Sequence, residues 1–448
     1  MVFAAGLLII ILGIDYLLVS LYREYPFPDW AAPFISAFTL QFIPRAVRGF
    51  LFMGAGVAAV LLALRHLNQV IVSVIPRLGG ERTGSRGTVI SVVAKHKLLL
   101  RGPRIVAIGG GTGMSLLLHG LRMYSRNISV VVTVADDGGS SGRLRRELRI
   151  LPPGDFRQCI AALADVEDLM VKLLQYRFKK GSGLEGHSFG NLFIAAMADI
   201  TGSFEEALAA SSRVLAVQGQ ILPSTLQDVT LSADLHDQTT LTGESKVGTG
   251  KSPIERVYLD PEAPAANPEA LEAIREADII ILGPGSLYTS LMPNLLVPGI
   301  SEAIEQSHAS LKVFVCNVAT EPGETDGYTA CDFVQAIQRH IPRHLFDYVV
   351  TNRNYRAEKP GVWKSEVVRP GPKVSLPTGV QMIEYDVVDA RNALRHDPQK
   401  LAQLLLHLYD GKRRTPERPA GQRVPGFHRD NLVMTDLEPA EDLVAGSA

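Results

Sequence analysis

Between Arg104 and Arg143 the chain reads RIVAIGGGTGMSLLLHGLRMYSRNISVVVTVADDGGSSGR, a stretch that admits few folds. Arg104–Ile108 is a short apolar run, Gly109–Gly113 is almost bare of side chains, and Ser115–Tyr124 carries apolar residues at helical spacing. A second apolar strand, Val130–Val134, then leads into Asp136 and Asp137. Strand, glycine turn, helix and strand in that order begin a mononucleotide-binding half of an open α/β sheet. Backbone N–H groups at such a turn approach anions closely, and the helix they open adds partial positive charge.

The stretch is not an ordinary dinucleotide fingerprint. Counting from Gly109 or Gly111, the sixth position of G-x-G-x-x-G is Met114 or Leu116, so the spacing fails and an NAD-dependent dehydrogenase is disfavoured. Asp136 stands where an acidic residue meets a ribose, but the chain continues as a second glycine loop, Asp137-Gly-Gly-Ser-Ser-Gly-Arg, with its own cation at Arg143.

From Arg104 to about Asp410 apolar strands alternate with helical patterns, which predicts a mostly parallel sheet with helices on both faces. Further strands are expected at Asp278–Leu282, Lys312–Val318 and Tyr348–Thr351. In such sheets ligands lie beyond the carboxyl ends of strands, so the loops there should converge. Gly283 to Ser290 offers the hydroxyls of Ser286 and Thr289, and residues 316–328 hold Glu321, Glu324 and Asp326, suited to a divalent cation, to a sugar hydroxyl or to solvent. Asp155, three residues before Gln158, reads as a capping box. Arg157 in the same first turn opposes the helix dipole and is a candidate phosphate partner. His187 and Asn191 fall four residues apart at the start of another helix, with no second His or Cys at zinc-ligand spacing.

The flanks differ in kind. Val2–Leu21, interrupted by Asp15, and Gly49–Leu64, set between Arg48 and Arg65, are apolar enough to predict a transmembrane hairpin over residues 1–75. Tyr25, Phe27 and Trp30 suit a membrane interface, and Arg77, Arg82, Arg86, Lys95, Lys97 and Arg101 would hold the main domain on the cytoplasmic side. Residues 76–103 read as a linker, with a short strand at Thr88–Val93, and Lys412–Ala448 as a flexible tail. A net charge of −1 without a basic stripe argues against a nucleic-acid partner. Three cysteines without C-x-x-C pairing support neither a disulfide framework nor a zinc cluster.

Taken in order, the motifs GGGTG, VADDGGSSGR, PPGDFRQ, GHSFGNL, GQILPST, GPGSLYTSLMPNLLVPGI and EPGETDGYT resemble the YvcK family of gluconeogenesis factors, relatives of the CofD 2-phospho-L-lactate transferases. The resemblance covers about Arg104–Tyr409, a CofD-like domain over residues 104–411 in which it implies a Rossmann-like core holding a UDP-sugar such as UDP-N-acetylglucosamine. It places Gly110, Gly111, Thr112, Gly113, Asp136, Asp137, Ser140, Arg143, Asp155, Arg157, Asn191 and Ser286 around that ligand, and assigns no catalytic residue. The function implied is a ligand-responsive regulator of cell-wall precursor metabolism, cell shape and carbon flux, and the resemblance assigns it no definite cofactor. The alternative is a transferase moving a phospholactyl-like group onto a deazaflavin, in which Asp136 and Asp137 would hold Mg²⁺ against a pyrophosphate. Self-association is left open.

Overall fold

The computed structural model describes residues 99–357, 364–372, 374 and 376–414, with scattered positions between 30 and 65. The chain divides into two units, Met1–Val93 and Ala94–Ala448. The apolar runs expected to form a hairpin lie largely outside the described residues, as do the strand expected at Thr88–Val93 and the tail beyond Arg414. Among the described residues, no helix is long and apolar enough to cross a membrane.

The second unit is built on a seven-stranded sheet in the order β10-β9-β8-β7-β1-β2-β3, parallel at every pairing. Its strands are β1 (Ile105–Gly109), β2 (Ile128–Val132), β3 (Gln220–Pro223), β7 (Ile279–Leu282), β8 (Leu311–Val315), β9 (Tyr348–Asn352) and β10 (Gln381–Tyr385). Successive residues of a strand face opposite sides, yet every residue of β1, β7 and β8 is buried. Both faces of the sheet are therefore covered, which is why these strands are continuous apolar runs rather than alternating ones.

The helices are α1 (Gly111–Leu121), α2 (Gly139–Leu148), α3 (Gly154–Leu163), α4 (Asp168–Gln175), α5 (Phe189–Thr201), α6 (Phe204–Val214), α7 (Glu244–Val247), α8 (Pro268–Glu276), α9 (Met292–Leu295), α10 (Ile300–Gln306), α11 (Ala330–His340) and α12 (Pro398–Arg414). Gly120 lets α1 lie directly on the start of α12, since a Cβ there would overlap the Pro398 carbonyl. An antiparallel three-stranded sheet, β4 (Thr230–Leu235), β5 (Thr240–Thr242) and β6 (Ile254–Asp260), is inserted between β3 and β7 and was not anticipated. It is tied to α11 by His340, whose Nε2 accepts from the Val257 N–H at 3.0 Å. A short pair, β11 (Val388–Asp389) and β12 (Asn392–His396), precedes α12.

Several boundaries move. Helix α1 begins at Gly111 rather than Ser115, because the glycine turn itself supplies its first turn. Strand β2 ends at Val132, so Thr133–Asp137 lies beyond the strand in the loop that leads to α2. Strand β8 ends at Val315, and α12 continues through Lys412 and Arg413.

The strand order locates the crevice. From β1 the chain winds to β2 and β3 on one side, then returns to place β7 on the other side of β1 and winds outward through β8, β9 and β10. The chain therefore leaves β1 and β7 toward opposite sides of the sheet, which makes the carboxyl end of this strand pair the switch point where such sheets bind ligands.

Candidate ligand-binding crevice at the β1/β7 switch point

Two glycine turns meet at that switch point. Gly109 and Gly111 have φ of +154° and +69°, while Gly110 between them is extended and buried. A Cβ on Gly113 would stand 3.1 Å from the Pro284 carbonyl, and one on Gly285 2.9 Å from the Gly110 carbonyl. The turns after β1 and β7 thus touch through backbone alone, a contact that side chains would prevent. The Gly285 N–H donates to Asn317 Oδ1 at 3.0 Å, which adds the loop after β8.

The third side comes from the chain after β2. Asp136 Oδ1 accepts from the Gly138 N–H at 2.9 Å, and Asp137 Oδ1 from the Ser245 N–H at 2.8 Å. Ser245 belongs to α7, so the inserted sheet reaches the crevice and brings Glu244 with it. Asp155 is packed against Gly110, where a Cβ would overlap its Oδ2, and its carboxylate accepts from the Gly111 N–H. The first amide of helix α1 is therefore occupied by a carboxylate of the protein itself.

Crowding these acids together makes ionisation costly. Burial, with Asp136 beside it, pushes the Asp155 carboxyl up to about 6. Burial, and then the charges of Asp136, Asp137, Asp155 and Glu324, pushes Glu244 up to about 8. Asp136 is raised by burial, opposed by its bonds to Gly138 and Ser141. Sequence reasoning missed Glu244, which lies about a hundred residues beyond the motif it faces.

A cationic side adjoins this acidic one, where α2, α3 and α5 all begin. Asn191 holds it together: its Nδ2 donates to Ser140 Oγ at 3.1 Å, and its Oδ1 accepts from Arg157 Nε at 2.9 Å. Ser140 Oγ also bonds His187 Nδ1 at 2.9 Å. Arg143 Nη2 donates to the Glu185 carbonyl at 2.8 Å. His187, with its protonation disfavoured by burial and by Arg143, precedes α5 rather than sharing a helical face with Asn191, and Ser188 is the cap. The capping box expected at Asp155 is not formed either. Helix α3 is preceded by Pro153, which offers no side-chain cap, and Gln158 bonds Asp155 only side chain to side chain, at 3.4 Å.

Of the remaining expected residues, Thr112 is exposed and meets Gln158 at 3.5 Å. Ser286 donates to Glu324 Oε2 at 2.6 Å, with Thr289 donating in turn to Ser286. Burial and Glu321 raise the Glu324 carboxyl, and Ser286 and Thr289 oppose that rise. Asp326 instead closes its own turn on the Gly323 N–H at 2.7 Å. Among the described residues no three His, Cys, Asp or Glu side chains are placed to hold a metal ion by themselves. A divalent cation would fit here only with Asp136 and Asp155 supplying part of its shell and a diphosphate the rest, as Mg²⁺ commonly binds.

Two cavities of about 660 and 720 Å³ open at the opposite, amino ends of the strands. The first is lined by Arg104, Arg126 and Glu276, the second by Tyr124, Asp278 and His407. In the first cavity Arg104 is already paired with Glu276 and Asp278, and Arg126 with Asp165.

Comparison with known proteins agrees with this architecture. The family model described as 2-phospho-L-lactate transferase CofD matches residues 105–387. A protein named gluconeogenesis factor from Bacillus subtilis is 46% identical over 311 residues, 68% of this chain and 98% of the relative. Its namesake in Halalkalibacterium halodurans is 46% identical over 316 residues, 69% of this chain and 97% of the relative. A crystal structure of a member of the UPF0052 family from Bacillus halodurans superposes with a TM-score of 0.63 at 45% identity, covering 68% of this chain and 99% of that one.

Proposed function

This chain belongs to the CofD family and, within it, to the gluconeogenesis factors, and from that premise we propose that its switch-point crevice binds a nucleotide-linked sugar of the UDP-N-acetylglucosamine kind. The observation that carries the reading is the division of the crevice into an acidic side, with Asp136, Asp137, Asp155 and Glu244, and a cationic side, with Arg143 and Arg157. Carboxylates accept hydrogen bonds from sugar and ribose hydroxyls, and guanidiniums bind phosphate, so one ligand carrying both groups satisfies both sides.

On this reading the protein senses a wall-precursor metabolite and adjusts cell-wall synthesis, cell shape and carbon flux. Its N-terminal apolar runs anchor it to the cytoplasmic membrane, with the main domain on the cytoplasmic side. Supporting the anchor are the two apolar runs, the cations that follow them, and the exposed helical positions Phe34, Phe50, Leu61 and Leu62.

A second reading, a CofD-type transferase, is favoured by the raised carboxyls at Asp155 and Glu244, since a cation arriving on a diphosphate would offset the cost of ionising them. Such a cation, held by Asp136 and Asp155, would neutralise charge on a leaving diphosphate.

The double variant Asp136→Asn/Asp137→Asn separates the two. For a sensor it loses at least tenfold in affinity for UDP-N-acetylglucosamine, with or without Mg²⁺. For a transferase, affinity is largely kept and turnover drops about a thousandfold, because the lost stabilisation acts mainly in the transition state. Calorimetric titration with UDP-N-acetylglucosamine, GDP and NAD, followed by product analysis, reads both quantities. An absence of heat with any uridine diphosphate sugar would sink the sensor reading.

A further inference from the structure

The glycine turn after β1 is the expected seat for phosphate, yet its Gly111 N–H already holds the Asp155 carboxylate, and Asp136 stands beside it. A phosphate placed there would face two carboxylates. The cationic side offers a different seat, and one residue outside every expected site completes it.

Residues 177–188 form a small hairpin in which Arg177 pairs with Ser188, the Phe178 N–H donates to the His187 carbonyl and the Gly186 N–H to the Phe178 carbonyl. The hairpin sets Arg177 beside the start of α5, where its Nη1 donates to the Gly186 carbonyl. Arg143 donates to the preceding carbonyl, that of Glu185, so two guanidiniums are held on successive peptide groups. Arg157 completes the set: a Cβ on Gly190 would lie 2.7 Å from its Cγ and Cδ, so that glycine is what lets α5 lie against it.

Among the described residues, none of these three arginines makes an ion pair. Arg157 is bonded through Nε, and among the described residues neither of its terminal nitrogens meets a hydrogen-bond acceptor. Burial and then Arg177 pull the Arg157 pKa down, with Asp155 opposing. Three guanidiniums gathered without a salt bridge repel one another until an anion arrives, and the start of α5, with no acidic residue in its first turn, adds to the same positive potential.

We propose that Arg143, Arg157 and Arg177 form the phosphate subsite of the crevice, binding the pyrophosphate of the ligand beside the start of α5, while the glycine turn and its carboxylates receive hydroxyl groups. The proposal rests on the nucleotide-sugar reading for the ligand's identity, but not for the anion chemistry. Arginine suits the role because its planar fork meets phosphate oxygens two at a time.

The test uses the full chain and two probes, inorganic pyrophosphate and UDP-N-acetylglucosamine, without Mg²⁺. Pyrophosphate is expected to bind and to compete with the nucleotide sugar. Arg177→Gln is expected to weaken pyrophosphate at least tenfold, with Arg177→Lys intermediate and Arg275→Gln, an exposed charge on α8, unchanged. Melting temperature of each variant checks folding, and Arg157→Gln gives an independent second removal. Failure of the wild type to bind pyrophosphate, or wild-type pyrophosphate affinity in both Arg177→Gln and Arg157→Gln, overturns the subsite. If pyrophosphate binds and the variants lose it, while no uridine sugar binds, the subsite stands and the nucleotide-sugar reading falls.

Discussion

Gly110→Ala is expected to lose at least a hundredfold in affinity for UDP-N-acetylglucosamine while the protein stays folded. The added Cβ would overlap Oδ2 of Asp155 and approach its Cγ to 3.2 Å, with Ser290 Cβ at 3.6 Å. Gly110 is extended, so alanine imposes no backbone strain, and the whole effect comes from what the methyl displaces. What it displaces is a side chain rather than a backbone segment, and Asp155 can rotate outward at the cost of its bond from the Gly111 N–H. The carboxylate then leaves the crevice and the methyl enters it. Gly111 makes the contrasting variant. Its φ of +69° penalises a side chain by about 1 kcal/mol, but a Cβ there meets nothing closer than Ser290 Oγ at 3.8 Å. Gly111→Ala should therefore lower stability modestly and keep most of the affinity, whereas the β-branched Gly111→Val should lose both. Calorimetry and thermal melts on the three variants distinguish these patterns, and unaltered affinity in Gly110→Ala would remove the turn from the binding site.

The second large effect is a gain. Glu244→Gln should stabilise the ligand-free protein by on the order of 2 kcal/mol at pH 7.5 and by almost nothing at pH 4.5. The folded-state pKa of Glu244 is raised from 4.5 to about 8, so the folded protein holds a proton that the unfolded chain has released. The stability this confers is complete below pH 4.5 and is lost as pH rises toward 8, where the buried carboxylate must ionise beside Asp136, Asp137, Asp155 and Glu324. Glutamine keeps the shape and removes the charge, so the pH dependence should flatten over that window. Asp155→Asn should act in the same sense over a narrower window, from 3.8 to about 6. Denaturant melts from pH 4.5 to 8.5 measure both, and a Glu244→Gln curve parallel to wild type would show that Glu244 does not face the acidic cluster. A site that is destabilising when empty is the expected signature of groups arranged for a ligand rather than for folding.

How much of this was legible in the sequence depended on burial and on separation along the chain. Strands β1, β7, β8 and β9 were legible because strands buried on both faces are unbroken apolar runs between turn residues. The loops at their ends were legible because glycine, serine and carboxylates follow each run directly. Strand β2 lies two residues before the apolar run that predicts it, since Thr133–Ala135 stays buried after the ladder has ended, and composition registers burial rather than pairing. Ser188 outcompeted the helix start imagined at His187 because its hydroxyl accepts from the Asn191 N–H, whereas the imidazole turns to Ser140. Glu244 was hidden in a four-residue helix with too few residues to show periodicity, on an insertion whose return to the crevice is a property of tertiary structure. Arg177 was hidden for the opposite reason. In Arg-Phe-Lys-Lys-Gly-Ser-Gly it resembles any solvated charge run, and only the hairpin pairing with Ser188 sets it apart from Lys179 and Lys180.

The location of the ligand is the claim on which everything else depends, and hydrogen–deuterium exchange of the full chain with saturating UDP-N-acetylglucosamine tests it most directly. Amide protection should rise in residues 109–115, 136–143, 243–248 and 283–290, the segments that meet at the β1/β7 switch point, and in the hairpin 177–188. Protection confined to the amino ends of the strands, around the cavity lined by Tyr124, Asp278, His407 and Arg413, would contradict the account.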